Sequence, residues 1–292
     1  MTLNRLQHYH LPDSGNAVID LLEKYPDEAM IVAGGTFVHG LAARGLVSHV
    51  EALIDVSRLG LNFVRTDEGR LWIGATTTFR ELLESPEIAG QPLFGAIRDA
   101  LSWPPPQVRN AATIGGCVAA ACPFFDMPVA LLALAGAVSA QGRSGVREVP
   151  LQEFYDGLFE NTLKADEFVI DMSVPLPTGR AASAFAKLET NANDLAILNA
   201  AVLVSAGSGG TCDMARVFVG GGVGETPVRS RAAEEVLIGN ALTAEHFVAA
   251  GEAARNEIDP LDDHRASAAY RKAMTAVYVQ RVLEKAAARL RA

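Results

Sequence analysis

Residues 109–126 read RNAATIGGCVAAACPFFD, and no charged residue stands between Arg109 and Asp126. The middle of this stretch consists mostly of Ala, Gly, Cys and Thr, whereas protein cores are usually filled with larger apolar side chains such as Leu, Ile and Phe. A soluble, acidic chain gains little core packing from so many small residues. We therefore expect something other than side chains to fill the space beside this segment.

A similar pattern occurs earlier, in IVAGGTFVHG at residues 31–40. Like ATIGGCVAA at 112–120, it has an apolar lead-in, a Gly-Gly pair and a run compatible with a helix. Glycine lets the backbone come close to a ligand, and successive N–H groups at a helix N-terminus attract phosphate. Two such loops suit a ligand with two phosphates, although ordinary turns explain each loop equally well. Neither loop matches GxGxxG or GxxxxGK(S/T), which disfavours Rossmann and P-loop sites.

The composition is that of an ordinary globular protein. The chain has 292 residues, of which 49% are hydrophobic and 20% charged, with a formal net charge of -9. Lys and Arg are scattered without a basic block, so nucleic-acid binding is not expected. The N-terminus lacks the apolar region of a secretory signal, and the longest apolar run, 127–140, is too short to span a bilayer. Three cysteines, an odd number, suit a reducing cytoplasm.

Hydrophobic periodicity and turn residues predict two regions that differ in the order of their helices and strands. In the first, we expect helices at 16–24, 37–43, 79–84 and 126–137, and strands at 29–33, 52–56, 71–75 and 146–149. In the second, we expect strands at 167–177, 184–187, 196–205 and 215–220, followed by helices at 231–238, 244–257 and 266–290. Proline and glycine at 175–179 place the boundary, so the predicted domains are 1–176 and 177–292.

Several motifs in this order resemble one family, the FAD-binding (medium) subunits of molybdenum hydroxylases, which include xanthine dehydrogenase and carbon monoxide dehydrogenase. In the first region they are AGGT at 33–36, IGA with its Thr cluster at 73–78, RNAATIGG at 109–116 and Pro123 to Asp126. In the second they are TPVRS at 226–230, AEEVLIG at 233–239 and SAAYRK at 267–272. The resemblance covers nearly the whole chain.

The resemblance implies an α+β fold in two parts. The first part is a two-lobed FAD-binding domain of the vanillyl-alcohol-oxidase/PCMH type, which would hold FAD noncovalently between its lobes. The second is a smaller α+β C-terminal domain. In the family, the first glycine loop cradles the pyrophosphate and the second approaches it from the other lobe. The small residues of 109–126 are then explained, because a dinucleotide lies against them.

The resemblance also implies which residues bind FAD. Around the two glycine loops they are Val32, Ala33, Gly34, Gly35, Thr36, Phe37, Val38, His39, Thr77, Ala112, Thr113, Gly115, Gly116, Cys117, Ala119 and Ala120. Beyond the loops they are Asp126, beside the cofactor, and Val169, Ile170, Lys187 and Asp194 around the isoalloxazine ring. A cation such as Lys187 near the ring favours the reduced flavin electrostatically. No catalytic acid or base and no metal ligand is predicted.

The sequence departs from the family pattern at two places. Cys117 stands where the family's TIGGN has asparagine, which removes the amide's hydrogen bonds to the cofactor. Thr190 and Asn191 stand where an arginine often follows the FxK lysine. Cys117 and Cys122 lack the further cysteines that an iron–sulfur cluster needs, so we interpret them as small core residues. His39 could tether FAD covalently, but a histidine on a helix face is the simpler interpretation.

The function implied is that of an electron-relay flavoprotein subunit. Hydroxylation would occur at a molybdopterin cofactor on a large subunit. Electrons would then pass through [2Fe-2S] clusters on a small subunit to FAD on this chain, and onward to an external acceptor. Two alternatives remain open from the sequence: a free-standing FAD-dependent oxidoreductase of the same fold, and a flavin-free structural subunit.

Overall fold

The computed structural model describes residues 3–191, 194–207 and 210–292. In chain order, the strands are β1 (His8–His10), β2 (Ala29–Val32), β3 (Ala52–Asp55), β4 (Val64–Asp67), β5 (Arg70–Gly74), β6 (Ala137–Gly142), β7 (Gly145–Pro150), β8 (Tyr155–Gly157), β9 (Glu160–Asn161), β10 (Phe168–Pro175), β11 (Ala181–Leu188), β12 (Leu198–Ala206), β13 (Cys212–Gly220) and β14 (Val228–Arg229). The α-helices are α1 (Gly15–Lys24), α2 (Thr36–Ala43), α3 (Phe79–Glu84), α4 (Gly95–Ser102), α5 (Pro106–Arg109), α6 (Ile114–Ala119), α7 (Asp126–Ala133), α8 (Leu151–Phe154), α9 (Arg231–Leu237), α10 (Ala244–Glu257) and α11 (Ala268–Arg291).

The first lobe is a parallel sheet of three strands in the order β1-β3-β2. Helix α1 covers it, and its buried Val18 and Ile19 pack in one cluster with Ile54, Val56 and Phe168. Ser14 caps the helix, because its side chain accepts a hydrogen bond from the Ala17 N–H. Phe168 starts β10, so this cluster joins the first lobe to the sheet of the second.

The second lobe is an antiparallel sheet of five strands in the order β4-β5-β10-β6-β7. Strand β10 lies in the middle of this sheet although it comes last in the sequence. Helices α3, α4, α6 and α7 contribute buried residues to the core of this lobe, among them Leu82, Ile97, Val118 and Leu131. The two glycine loops therefore belong to different lobes, since the first leads into α2 and the second into α6.

The C-terminal region is an antiparallel sheet in the order β11-β12-β13-β14, with α9, α10 and α11 packed against it. Strand β12 is buried on both faces. Val202 and Val204 point into the cluster with α10 and α11, whereas Ala201 and Leu203 belong to the cluster of the second lobe. A strand covered on both faces is continuously apolar rather than alternating. The shared cluster fixes this sheet against the second lobe.

Most predicted elements occur within a few residues of their predicted positions, but the helix expected at 126–137 was wrong at its end. Helix α7 ends at Ala133, and β6 begins at Ala137. Ala135 has a φ of 56°, and the N–H groups of Ala135 and Gly136 donate to the carbonyls of Leu132 and Leu131, which closes the helix. The apolar run continues across this turn, so hydrophobicity alone does not mark the change.

Some elements were not predicted from the sequence: the strands β1, β4, β6, β8, β9 and β14 and the helices α4, α5 and α8. The boundary proposed between residues 176 and 177 lies between the end of β10 and the start of β11. Among the described helices, none combines the length and the hydrophobicity that a membrane span requires.

Candidate functional site

A cavity of about 550 Å³ lies between the two lobes and reaches the edge of the C-terminal sheet. Residues 30–38 and 112–120 contribute most of two opposite walls, so both glycine loops face the same space. Lys187 on β11 and Asp194 line it from the C-terminal region. The small residues of the second loop thus border a cavity instead of a packed core.

The first glycine loop presents free backbone donors to this cavity. Gly35 has a φ of 68° and is the N-cap residue of α2, without a side-chain cap. Within the described residues, no hydrogen bond is made by the backbone N–H groups of Gly34 to Val38. Orphan N–H groups at a helix start, aligned with the positive end of the helix dipole, form a site for an anion.

The second glycine loop differs, because its N–H groups are mostly used within the protein. The N–H groups of Ile114 and Gly115 donate to the carbonyls of Thr77 and Ala75, at 2.9 Å in both cases. The N–H of Gly116 donates to Thr113 Oγ1 at 3.3 Å, and that of Cys117 to the Thr113 carbonyl at 3.0 Å. This loop therefore lines the cavity with small side chains and does not provide a second set of free N–H donors.

The two loops touch directly at Gly34. A Cβ atom added there would lie 1.7 Å from the Ala111 carbonyl oxygen. At Gly115, an added Cβ would lie 2.6 Å from the Ala75 Cβ. Real side chains do not approach so closely, so both positions require glycine for close backbone packing. The absence of a side chain at Gly34 and Gly115 thus lets the backbone segments that border the cavity pack closely together.

Charged groups gather where the cavity meets the C-terminal sheet. Lys187 Nζ donates to Asp126 Oδ2 at 3.0 Å and lies 3.3 Å from Glu189 Oε2. Asn199 Nδ2 donates to Asp126 Oδ1 at 2.9 Å. The Lys187 side chain is only 5% exposed, and its Nζ lies 5.8 Å from the centre of the Trp103 ring. A buried cation is thus held at the cavity by two carboxylates and an aromatic ring.

Burial is the main influence on the titratable groups here. It raises the pKa of the Asp126 carboxyl above its ordinary value, against the opposing effects of Lys187 and Asn199. Burial also raises the pKa of the Cys117 thiol well above its ordinary value. Cys117 is therefore a neutral, small wall residue of the cavity and not a reactive thiolate.

The structure brings eighteen of the twenty-one predicted FAD-binding residues to this cavity. Three fall outside it. His39 is exposed on α2, and Ile170 packs in the cluster of the first lobe. Thr77 is fully buried, and its hydroxyl bonds the backbone N–H and carbonyl of Phe63. Thr77 thus supports the second loop from behind, because its own carbonyl accepts from Ile114.

Some wall residues were not predicted from the sequence. They are largely aromatic or apolar side chains, and one is basic: Phe79, Pro104, Pro105, Phe124, Phe125, Leu163 and Arg44. The Phe125 ring packs edge-on against Phe37 of the first loop, with ring centres 5.2 Å apart. The two phenylalanines before Asp126 carried a signal, since aromatic residues next to a small-residue loop suit a ring-shaped ligand.

The residues present fit a dinucleotide with a flavin ring. The free N–H groups of the first loop suit a pyrophosphate, and the cavity continues from them to a buried lysine and an aromatic pair. In the described residues, no group of three or more His, Cys, Asp or Glu side chains is arranged to hold a metal ion.

Comparison with known proteins agrees with this geometry. Residues 4–177 match the model of the FAD binding domain in molybdopterin dehydrogenase, and residues 183–286 match that of the CO dehydrogenase flavoprotein C-terminal domain. The chain is 36% identical to the 6-hydroxypseudooxynicotine dehydrogenase complex subunit alpha of Paenarthrobacter nicotinovorans, over 97% of this chain and 95% of that one. It is 31% identical to the carbon monoxide dehydrogenase medium chain of Hydrogenophaga pseudoflava, over 96% and 97%.

Solved structures give the same result for the fold. A structure of carbon monoxide dehydrogenase from Hydrogenophaga pseudoflava, which lacks the Mo-pyranopterin moiety, superimposes with a TM-score of 0.91 at 31% identity, covering 97% of this chain and 98% of that one. Quinoline 2-oxidoreductase from Pseudomonas putida 86 gives 0.88 at 27% identity, covering 96% of each chain. The predicted two-part fold and the predicted family are confirmed. The chain belongs to the FAD-binding medium subunits of the molybdenum hydroxylase family, a family of oxidoreductases.

Proposed function

We propose that this protein is the electron-transfer subunit of a heterotrimeric molybdenum hydroxylase. It would bind FAD noncovalently and relay electrons from [2Fe-2S] clusters on a small subunit to an external acceptor. The observation that carries this proposal is the cavity between the lobes. Free N–H groups line one of its walls, and the buried Lys187 lines it where it meets the C-terminal sheet. The membership of the family supports FAD as the ligand.

The first loop would hold the pyrophosphate of FAD. The N–H groups from Gly34 to Val38 make no other hydrogen bond within the described residues and stand at the N-terminus of α2. The second loop, from Ala112 to Ala120, would lie against the dinucleotide through small side chains. Because the Gly34 backbone contacts the Ala111 carbonyl, both walls keep a fixed separation and the site is preorganised.

Lys187, Asp126, Val169 and Asp194 would surround the isoalloxazine ring. Bound FAD would supply redox chemistry that side chains lack, since a flavin can accept electrons singly and release them in pairs. The contribution of the chain is electrostatic: Lys187 provides a positive charge in a region of low exposure, where its effect is large. Asp126 and Asn199 fix the position of that charge. The aromatic pair of Phe37 and Phe125 would exclude water from the same space.

The hydroxylation step would take place on other chains. The molybdopterin cofactor would lie on a large subunit and the [2Fe-2S] clusters on a small one. The related carbon monoxide dehydrogenase chain is named a medium chain, in agreement with such an assembly. We place the complex in the cytoplasm, since all three cysteines of this chain are free.

The test is removal of FAD from the complex purified from its native source. In the FAD-depleted complex, an organic substrate that reduces the complex should still bleach the iron–sulfur absorbance, while turnover with an external acceptor stops. Adding FAD should restore turnover. Full turnover without FAD would contradict the proposal, because electrons would then leave the complex by another route.

A further inference from the structure

A second cavity, of about 350 Å³, lies outside the FAD cavity and shares no wall residue with it. It is formed where the end of α7, the start of α8, strand β13 and helix α9 meet. Two arginines line it, Arg216 on β13 and Arg231 on α9, together with Gln152 and Glu153 of α8. We call it the Arg216–Arg231 cavity.

Arg216 is held rigidly in the wall of this cavity. Its Nε donates to the Ala133 carbonyl at 3.2 Å, and its Nη2 donates to the Leu132 carbonyl at 3.0 Å. Its guanidinium carbon lies 5.4 Å from the centre of the Phe218 ring. These contacts use two of its three nitrogens. In the described part of the chain, Nη1 of Arg216 has no hydrogen-bond acceptor, and no carboxylate lies within ion-pair distance of this side chain.

The second arginine is also without an acidic partner. Arg231 is exposed, and its side chain forms no ion pair or hydrogen bond with any described residue. The nearby carboxylate, Glu234, is already engaged, since it accepts two charged hydrogen bonds from Arg229 at 2.9 Å and one from the Val217 N–H at 3.0 Å. In a chain with 34 acidic and 25 basic residues, it is unexpected that two arginines face one cavity and neither forms an ion pair with a described residue.

The electrostatics of the cavity agree with this arrangement. Burial, together with the positive charges of Arg229 and Arg231, lowers the pKa of Arg216 to about 10, against the opposing effect of the Glu234 carboxylate. Arg216 therefore stays protonated at neutral pH, but its charge is poorly compensated, and an anion beside it would be stabilised. Glu153 is a negative group in the same wall. It is exposed, so solvent and salt screen its repulsion.

We propose that the Arg216–Arg231 cavity binds a small oxyanion, a phosphate or a carboxylate. The planar guanidinium matches the paired oxygens of such groups. Arg216 supplies a preorganised donor and Arg231 an exposed one. The oxyanion has two possible sources: a free ion or metabolite, or a carboxylate of a neighbouring chain in the assembled complex.

The experiment is a calorimetric titration of inorganic phosphate into the full chain saturated with FAD. A titration of chloride at equal ionic strength is the reference. We expect one phosphate site. Arg231→Gln should weaken binding at least about tenfold, the loss of one charge-assisted hydrogen bond, and should not affect folding because Arg231 is exposed. The matched control is Arg281→Gln, since Arg281 is exposed and stacks on Tyr278; it should bind like the unmodified chain.

The same titration on the assembled complex identifies the source of the oxyanion. Phosphate binding to both the chain and the complex supports a site for a free ion. Binding to the chain but not to the complex supports a site filled by a carboxylate of a neighbouring chain. The proposal is overturned if phosphate gives no more heat than chloride with the isolated chain, or if Arg231→Gln and Arg281→Gln bind phosphate equally.

Discussion

Lys187 Nζ lies 3.0 Å from Asp126 Oδ2 and so connects the first strand of the C-terminal sheet to the first turn of α7 in the second lobe. Both side chains are nearly buried, with exposures of 5% and 11%, and both line the cavity between the lobes. Asn199, on the neighbouring strand, donates to the same carboxylate. The C-terminal region thus supplies the buried cation of a cavity whose walls come mostly from the first and second lobes.

Replacing this lysine should change the redox properties of the bound flavin. In Lys187→Met, the midpoint potential of bound FAD should fall, because reduction adds negative charge that Lys187 no longer offsets. The measurement is a spectroelectrochemical titration. Lys187→Arg keeps the charge and should stay near the original potential. Lys272→Met removes a half-exposed lysine that pairs with Asp259 and is the control; a fall of the same size in that variant would show that the effect is not local.

Separating the two glycine loops should weaken FAD binding. In Gly34→Ala, the new Cβ would lie 1.7 Å from the Ala111 carbonyl oxygen, so the loops must move apart. We expect a loss of about 1–3 kcal/mol of stability from overpacking and FAD binding weaker by at least about tenfold, measured by flavin fluorescence. Gly179→Ala, where no heavy atom lies within 4 Å of an added Cβ, should behave like the unmodified chain. Unchanged FAD affinity in Gly34→Ala would contradict the role given to this contact.

A second buried charge cluster joins the lobes to the C-terminal helix. Asp99 on α4 accepts two hydrogen bonds of 2.7 Å from Arg289 on α11, and Lys285 lies at 2.8 Å. Asp99→Asn should lower the free energy of unfolding in urea by about 2–3 kcal/mol, because the half-buried Arg289 loses its counterion. Asp259→Asn, which removes a fully exposed carboxylate, should leave this free energy unchanged. Equal stability of the two variants would contradict the importance of the Asp99 cluster.

The effect of Asp99 should depend on pH. Burial alone would raise the pKa of Asp99, but hydrogen bonds from Arg289 and Lys285 hold it below the ordinary value of 3.8. A carboxyl whose pKa is lower in the folded state stabilises the fold above its unfolded pKa, and this stabilisation is lost as the pH falls through the folded pKa. The difference in unfolding free energy between the unmodified chain and Asp99→Asn should therefore be constant near pH 7 and shrink below about pH 4. If the difference in unfolding free energy instead grew as the pH falls, the pKa of Asp99 would be raised in the folded state rather than lowered.

The three cysteines should be unreactive in the native protein. Burial raises the pKa of Cys122 and Cys212 to about 11 and that of Cys117 well above its ordinary value. At pH 8, roughly one thiol in a thousand is then a thiolate, the form that reacts. A chromogenic disulfide reagent should label almost nothing in the folded chain and three thiols after denaturation. Rapid labelling of one thiol in the folded chain would place that cysteine in a different environment.

Local sequence signals predicted the glycine loops and most helices, because Gly-Gly pairs and helical periodicity act over a few residues. The differences between the loops could not be predicted in this way. The N–H groups of the second loop are occupied because Thr77 and Ala75 happen to lie opposite it, and only the folded second lobe brings them there. The exclusion of His39, Thr77 and Ile170 from the cavity has the same origin.

Long-range contacts explain the other gaps. Strand β10 pairs with β5 and β6, which are far from it in sequence. Phe159, at the tip of the β8–β9 hairpin, stacks on Phe37 with ring centres 6.3 Å apart. Neither contact leaves a local pattern. The family resemblance placed Lys187 and Asp126 near the same ligand, but their ion pair depends on how the C-terminal sheet packs on α7.

The most direct test of the account is the composition and visible spectrum of this chain, purified under native conditions from its own source. We predict noncovalent FAD, with flavin absorbance near roughly 450 nm, released as free FAD by denaturation. We also predict two further chains in the same particle, one with molybdenum and one with iron–sulfur clusters. A chain that carries FAD, runs alone and turns over a substrate by itself would contradict the relay account, and a chain without flavin would contradict the assigned cavity as well.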